Sequence, residues 1–408
     1  MPDFKPFSEA YLDDPYAYFE RYGAEAPVFY DPELDHWVVS RYDDIKKILK
    51  DSETFSNRTT LDPVHPFSPE VIRILHEGGY KARPTMVGVD APLHTRGRKF
   101  MNLAFTPRRV SELEPKIRGL VNERLGRLAP AGRMDLVESL TYELPALALF
   151  SMLGVPDEDV AIVKTGAQHR LLLIWGRPDP EEQAELARGL VAFWQHTERL
   201  VERRLRDPGD DLTSELIRLR AGDDSIVSLE EIASLIFGLL FAGHETTTAF
   251  ITNAVRRLLD DGDAWRAVAA NPGSLPAVVE ELLRADTSGI VWRRLATRDA
   301  AVGGVAIPSG SRVLILLGSA NHDESKFKCP HQLDFDRPNV KDHLSFGFGI
   351  HYCLGASLAR LETRVVLECL ATRLPSLRLA ADRKLEFLPN LSFRGPRELW
   401  VEWGESPV

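Results

Sequence analysis

Phe346-Gly347-Phe348-Gly349-Ile350-His351-Tyr352-Cys353-Leu354-Gly355 joins a glycine-rich loop to an apolar helical run from Leu354 to Leu370. A cysteine just ahead of a helix sits where the macrodipole and the free first-turn N–H groups favour a negative sulfur. Gly347, Gly349 and Gly355 let the backbone turn sharply and approach a flat object closely. Phe346, seven residues before the cysteine, can lie against that object and shield the sulfur. A thiolate sheltered in this way suits a metal that takes one soft anionic axial ligand, heme iron foremost. Taken alone, a cysteine such as Cys353 is more often a buried structural thiol.

The 408 residues suffice for two or three ordinary domains or one large helical one. No internal repeat or linker divides them, so a single domain over 1–408 is expected. Hydrophobic residues make up 44% and charged residues 27%, enough for a large core under a soluble surface. The net charge of −10 argues against nucleic-acid binding. Met1-Pro2-Asp3-Phe4-Lys5-Pro6 has no apolar segment after a basic start, and Leu235 to Gly243 is too short to span a bilayer. A cytoplasmic protein without a membrane anchor is expected. Cys329, Cys353 and Cys369 form no disulfide framework or close metal-ligating pair; Cys369 reads as core filler and Cys329 as loop.

Asp14-Pro15 reads as a capped helix start, Asp35 to Ser40 as a strand, and Tyr42 to Leu49 as a helix. Arg58 to Val89 reads as an irregular Pro- and Gly-rich loop, a candidate lid. Asp90-Ala91-Pro92 opens a helix with Asp90 as N-cap. His94 and Arg98, four apart, share its face and could hold one anionic group, although such a pair is more often a solvated face. Leu171 to Gly176 ends an apolar helix and the next begins near Pro180, an arrangement that suits substrate entry or ordinary core.

Ser228-Leu229-Glu230-Glu231 is a capping box that starts the longest helix, running to about Asp260. Its middle is apolar on every side and therefore buried. Ala242-Gly243-His244-Glu245-Thr246-Thr247-Thr248 follows, and a carboxylate with three threonines at a buried helix centre is locally costly. Such violations are expected at functional sites. Ala242 and Gly243 leave space for a flat cofactor or dioxygen, Thr246 can loosen a turn through its hydroxyl, and Glu245 can move a proton. The competing reading is a structural Thr–Glu network at a kink. Glu281 and Arg284, at i,i+3, can pair on one helix face.

The ten residues ending at Gly355 resemble the heme-binding loop of the cytochromes P450. Ala242-Gly243-x-Glu245-Thr246-Thr247 resembles the distal helix of the same family, and Glu281-x-x-Arg284 its structural Glu-x-x-Arg. The motifs at His94, Glu245, Glu281, Arg294 and Cys353 stand in family order along nearly the whole chain. Phe387 to Pro396, Trp292-Arg293-Arg294 and Leu171 to Gly176 further resemble the heme domain of bacterial enzymes fused to a reductase, and their stand-alone thiocarbamate- and aromatic-degrading relatives. Because the chain ends at Val408, a stand-alone form is expected over a truncated one.

The resemblance implies a mainly α fold, the triangular helical prism with small β-sheets, and one heme b (iron protoporphyrin IX). It implies Cys353 as iron ligand and His94, Arg98, Arg294 and His351 as propionate contacts, with Arg293 the competing choice in its strand. Ala242, Gly243, Phe346, Gly347 and Gly355 line the cofactor. Glu245 and Thr246 deliver protons during dioxygen activation, while Glu281 and Arg284 tie a helix to the meander before the cysteine. Leu173, Trp175, Leu239, Leu240, Ile290, Val291, Leu391 and Phe393 are the substrate-pocket candidates. The implied activity is monooxygenation of a lipophilic small molecule by a monomer, with ferredoxin and ferredoxin reductase as electron donors. The ferredoxin would dock on Arg96, Arg98, Lys99, Arg108 and Arg109. The alternatives are a peroxide-driven peroxygenase and a tailoring enzyme acting on a natural product.

Overall fold

The computed structural model describes residues 4–404, which are mostly helical with three small sheets. They form two compact units. One comprises the chain up to Ser56, Pro107–Leu144, and everything from Thr246 onward; the other comprises Asn57–Thr106 and Pro145–Glu245.

The first unit carries a five-stranded sheet in the order Val28–Asp31, His36–Val39, Arg312–Ile315, Trp292–Ala296, Phe55–Ser56. The His36–Val39 and Arg312–Ile315 strands are parallel, and the other pairings are antiparallel. Val39, Val313 and Ile315 meet Ile45 and Ile48 of the Tyr42–Lys50 helix and Phe327 in one buried cluster. Each such side chain contributes roughly 1.5–3 kcal/mol when fully removed from water. The Asp14 carboxylate accepts from the backbone N–H groups of Tyr16 and Ala17 and so caps Pro15–Glu25. Leu275–Ala285 and Ala356–Arg373 pack together in the same unit.

In the second unit, Val160–Trp175, Pro180–Arg206 and Leu229–Ala242 form a layer of helices. Phe237 is central to it, with Phe193 at 4.5 Å and Trp194 at 5.4 Å between ring centroids. Asp179 with Glu182, and Ser228 with Glu231, make reciprocal capping boxes.

Three local expectations are corrected. The segment 58–89 is not wholly irregular, because Pro69–Glu77 is a helix capped by the Ser68 hydroxyl, with proline at its first position. Asp90 does not cap the next helix. Pro92 holds the N-cap position, and the Asp90 carboxylate accepts instead from the backbone N–H of Asn57 at 2.9 Å. The long helix is two helices, Leu229–Ala242 and Glu245–Asp260, interrupted at Gly243–His244. Glycine is the weakest helix former after proline, and the interruption falls on it. The stretch Leu229–Asp260 is long and apolar enough to cross a membrane, but 72% of its most apolar window is buried inside the protein, as in a core helix.

Candidate active site

The cysteine loop is built by its own backbone. Gly347 N–H bonds to Leu344 O at 2.8 Å, and Cys353 N–H bonds back to Phe346 O at 2.9 Å. Gly349 has φ +75°, and a Cβ there would sit 2.8 Å from the Leu49 carbonyl oxygen, so only glycine lets the loop lie this close to its neighbour. Gly349–His351 is a single 3₁₀ turn. Cys353 is exposed ahead of Ala356–Arg373, whose N-cap Gly355 supplies no side-chain acceptor. Cys353 thus stands two residues ahead of the N-cap of an eighteen-residue helix, at its positive end. Phe346 is held from behind by the Arg360 guanidinium, 4.6 Å from its ring centroid.

That clamp continues into Leu275–Ala285. Glu280 accepts from Arg360 Nη2 at 3.0 Å and lies 3.2 Å from His343 Nε2. Burial pushes the Glu280 carboxyl up, but His343 and Arg360 outweigh it and hold it at about 2. The next residue, Glu281, has no exposed surface and takes Arg284 in a two-point pair at 2.7 and 2.9 Å. Arg337 Nε adds contacts at 3.1 and 3.2 Å. Arg284 Nη1 donates to Asn321 O, and Asp334 N–H donates to Glu281. Glu281, Arg284 and Arg337 thus tie the helix to the segment leading to the cysteine. Arg337, Arg360 and Glu280 were not singled out from the sequence, because no periodicity marks them.

Arg293 and Arg294 are both buried in the Trp292–Ala296 strand, and successive strand residues face opposite sides. Arg293 pairs with Leu314 and Leu314 with Val38, two residues from His36, which puts Arg293 on the His36 face and Arg294 on the other. His351 Nε2 is buried. The terminal turn docks beside this strand: Ile290 N–H bonds to Ser392 O at 2.9 Å, and Phe393 packs on Trp292 at 5.9 Å.

In the second unit, His94 and Arg98 share the Leu93–Ala104 helix. His94 is buried, and burial followed by the Arg98 charge lowers its pKa. Arg98 reaches Asn102 at 3.2 Å. Ala242 is exposed in an otherwise buried helix, so a flat group can lie against that face. Gly243 does not leave space as expected. A Cβ there would fall 2.3 Å from Leu149 Cδ2, so the missing side chain accommodates Leu149.

Glu245 Oε1 accepts from Lys164 Nζ at 3.0 Å, and His244 Nε2 lies 3.0 Å from the same oxygen without hydrogen-bond geometry. Burial alone would raise its carboxyl, but His244 and Lys164 together hold it at about 2. Burial and the Lys164 charge keep His244 below its ordinary pKa. Lys164 was missed from the sequence. Its signal was a lysine within the otherwise apolar start of Val160–Trp175. Thr246, in the first turn of Glu245–Asp260, is half-buried. Further along that helix, Thr248 Oγ1 donates to Thr141 O at 2.9 Å and Thr252 Oγ1 to Thr248 O at 2.8 Å, which relieves the cost of those hydroxyls.

The eight pocket candidates divide. Trp175, Leu240, Val291 and Leu391 retain no exposed surface and therefore fill core volume, a correction to their reading as a lining. Leu173 and Ile290 are nearly as buried, whereas Leu239 and Phe393 keep 7% and 8% exposure. Of the basic cluster, Arg96 is paired with Glu231 and Arg108 with Glu112, both at the surface.

Among the described residues, no group of three His, Cys, Asp or Glu side chains is placed to hold a bare metal ion. A metal at Cys353 must bring most of its own ligands. One accessible sulfur at a helix N-terminus, beside a glycine-shaped loop, fits iron carried in a porphyrin.

Residues 274–375 match the Cytochrome P450 family model. The chain is 33% identical to Cytochrome P450 109 of Bacillus spizizenii over 95% of this chain and 91% of that protein. It superposes on the solved structure of cytochrome P450 CREJ in complex with (4-ethylphenyl) dihydrogen phosphate with a TM-score of 0.95 and 40% identity, covering 99% and 100% of the two chains. It also matches an intact type IV self-sufficient cytochrome P450 monooxygenase, with a TM-score of 0.95 and 37% identity over 99% of this chain and 53% of that one. The chain belongs to the cytochrome P450 family and has its fold. It is a heme-dependent monooxygenase that uses dioxygen and electrons from a redox partner.

Proposed function

We propose that Cys353 is the thiolate ligand of the heme iron, and that Arg294, His351, His94 and Arg98 hold its propionates. The exposed sulfur ahead of the Ala356–Arg373 helix, braced through Phe346, Arg360 and Glu280, carries this reading. Bound there, heme supplies the reductive activation of dioxygen and the oxidation of substrate. The chain's own residues shield, orient and move protons. Phe346 covers the sulfur side, the loop glycines admit the flat group, and Ala242 leaves its face open. Glu245 holds a carboxylate next to Thr246, and that pair delivers protons. Thr246→Ala is expected to leave substrate binding intact while lowering product formed per reductant consumed; unchanged coupling removes Thr246 from the relay. Cys353→Ser is expected to abolish the thiolate absorption spectrum, and retention of that spectrum would overturn the ligand assignment.

A small lipophilic aromatic compound is the substrate class this reading favours. The relative cytochrome P450 CREJ was solved with an aryl phosphate, so an aromatic ring carrying an acidic group falls within that class. The electron donor is an acidic ferredoxin served by a separate reductase in the cytoplasm, docking on the basic Leu93–Ala104 helix at Arg96 and Lys99. Reduction rates that do not change with ionic strength would overturn the docking reading.

A further inference from the structure

Arg170 stands in the last turns of Val160–Trp175 and is 7% exposed. Its Nε and Nη1 are buried and find no hydrogen-bond acceptor among the described residues. The guanidinium lies 4.5 Å from the Phe237 ring centroid and 4.7 Å from that of Phe241, with Tyr80 edge-on to Phe237 at 6.0 Å. Burial lowers its pKa, and the Tyr80 phenol is the sole group acting in the opposite direction. Three other buried cations are matched by carboxylates: Lys164 by Glu245, and Arg284 and Arg337 by Glu281. Aromatic faces stabilise a guanidinium but accept none of its in-plane N–H bonds, so Nε and Nη1 stay unmet.

The position bears on the chemistry. Phe241 directly precedes exposed Ala242 and is four residues before Glu245 in the chain, across the interruption at Gly243–His244. Arg170 therefore lies against the segment that leads into the residues assigned to proton delivery.

We propose that Arg170 recognises an oxyanion, carboxylate or phosphate monoester, on an aromatic substrate of this monooxygenase. The inference rests on the monooxygenase reading and adds to it the charge of the substrate and the residue that meets it. The planar fork takes two oxygens of the anion, and Phe237, Phe241 and Tyr80 pack around it.

The test is calorimetric and optical titration of the heme-loaded protein with a 4-alkylphenyl phosphate, the matching 4-alkylbenzoate and the neutral 4-alkylphenol. Wild-type protein is expected to bind at least one anion about tenfold or more tighter than the phenol, and the comparison of the two anions separates phosphate from carboxylate recognition. Arg170→Met is expected to lose that advantage while binding the phenol as before, and Arg170→Lys to recover part of it. Equal wild-type affinity for anions and phenol overturns the proposal, even if the variants fail to fold. Equal weakening of all three ligands in Arg170→Met also overturns it, since that is what a packing role produces. A protein without a thiolate spectrum would sink the monooxygenase reading itself, whereas a normal spectrum without anion preference removes only this inference.

Discussion

Lys164 Nζ lies 3.0 Å from Glu245 Oε1, with both side chains withdrawn from solvent. The contact joins the second turn of one helix to the first residue of another, 81 positions apart. With His244 on the same oxygen, it holds Glu245 ionised down to about pH 2. A carboxylate held this strongly does not take up a proton at neutral pH while the pair is closed. Its service as a carrier requires the pair to open, which makes Lys164 a latch on Glu245.

Lys164→Met should leave a buried carboxylate without its ammonium and cost about 3–5 kcal/mol at neutral pH. The sign follows from linkage. The folded-state pKa of Glu245 is depressed, so the contribution is present above its ordinary value of 4.5 and is lost as pH falls toward 2. Denaturant unfolding of wild type and variant should therefore show a gap at pH 7 that narrows below pH 4.5. A gap independent of pH would refute the ion-pair account.

Arg337→Met should leave fully buried Glu281 with Arg284 alone as its guanidinium partner. About 3–5 kcal/mol of destabilisation is expected. Because the same segment leads to Cys353, heme retention during gel filtration should fall with it. Wild-type melting and heme content in the variant would show that Arg337 is dispensable.

Glu362 on the Ala356–Arg373 helix has no exposed surface, and neither carboxyl oxygen has a hydrogen-bond partner among the described residues. Burial raises its pKa well above the ordinary value. The folded chain retains a proton that the unfolded chain releases, so stability falls as pH rises through 4.5 and beyond. Glu362→Gln should stabilise the protein, more at pH 8 than at pH 5, as read by melting temperature. A gain that shrinks with rising pH would contradict a protonated acid at this position.

Gly243→Ala should drive a methyl group into Leu149 Cδ2 and cost about 1–3 kcal/mol by overpacking. In the Leu149→Ala background the same substitution should cost at least about 1 kcal/mol less. Additive effects in the double-mutant cycle would show that Leu149 is not what Gly243 accommodates.

The legible features were local ones. The glycine pattern ahead of Cys353, the capping box at Ser228–Glu231 and the i,i+3 pair at Glu281–Arg284 each lie within ten residues, and all take the geometry their spacing implies. The helix at Pro69–Glu77 also carried its Ser-Pro signal, which the surrounding prolines and glycines obscured. Arg337 and Arg360 could not be found the same way, because an arginine on a helix or loop looks alike whether it meets solvent or a buried carboxylate. The pocket candidates failed in part for a related reason. Apolarity marks a residue for burial but does not distinguish a cavity wall from filled core, and Trp175, Leu240, Val291 and Leu391 are filled core.

The sequence by itself determined the helical class, the cysteine loop, the acid–threonine turn and membership of a heme-thiolate family. Those depend on short-range spacing, capping chemistry and residue type. The tertiary structure alone decided the partners of the charges. It matched Glu245 with Lys164 and His244, Glu280 with Arg360 and His343, and Glu281 with a second arginine, while leaving Arg170 among aromatic rings. The physical reason is that charge pairing in a low-dielectric interior depends on distances of about 3 Å between side chains distant in the chain, and no local pattern encodes those distances.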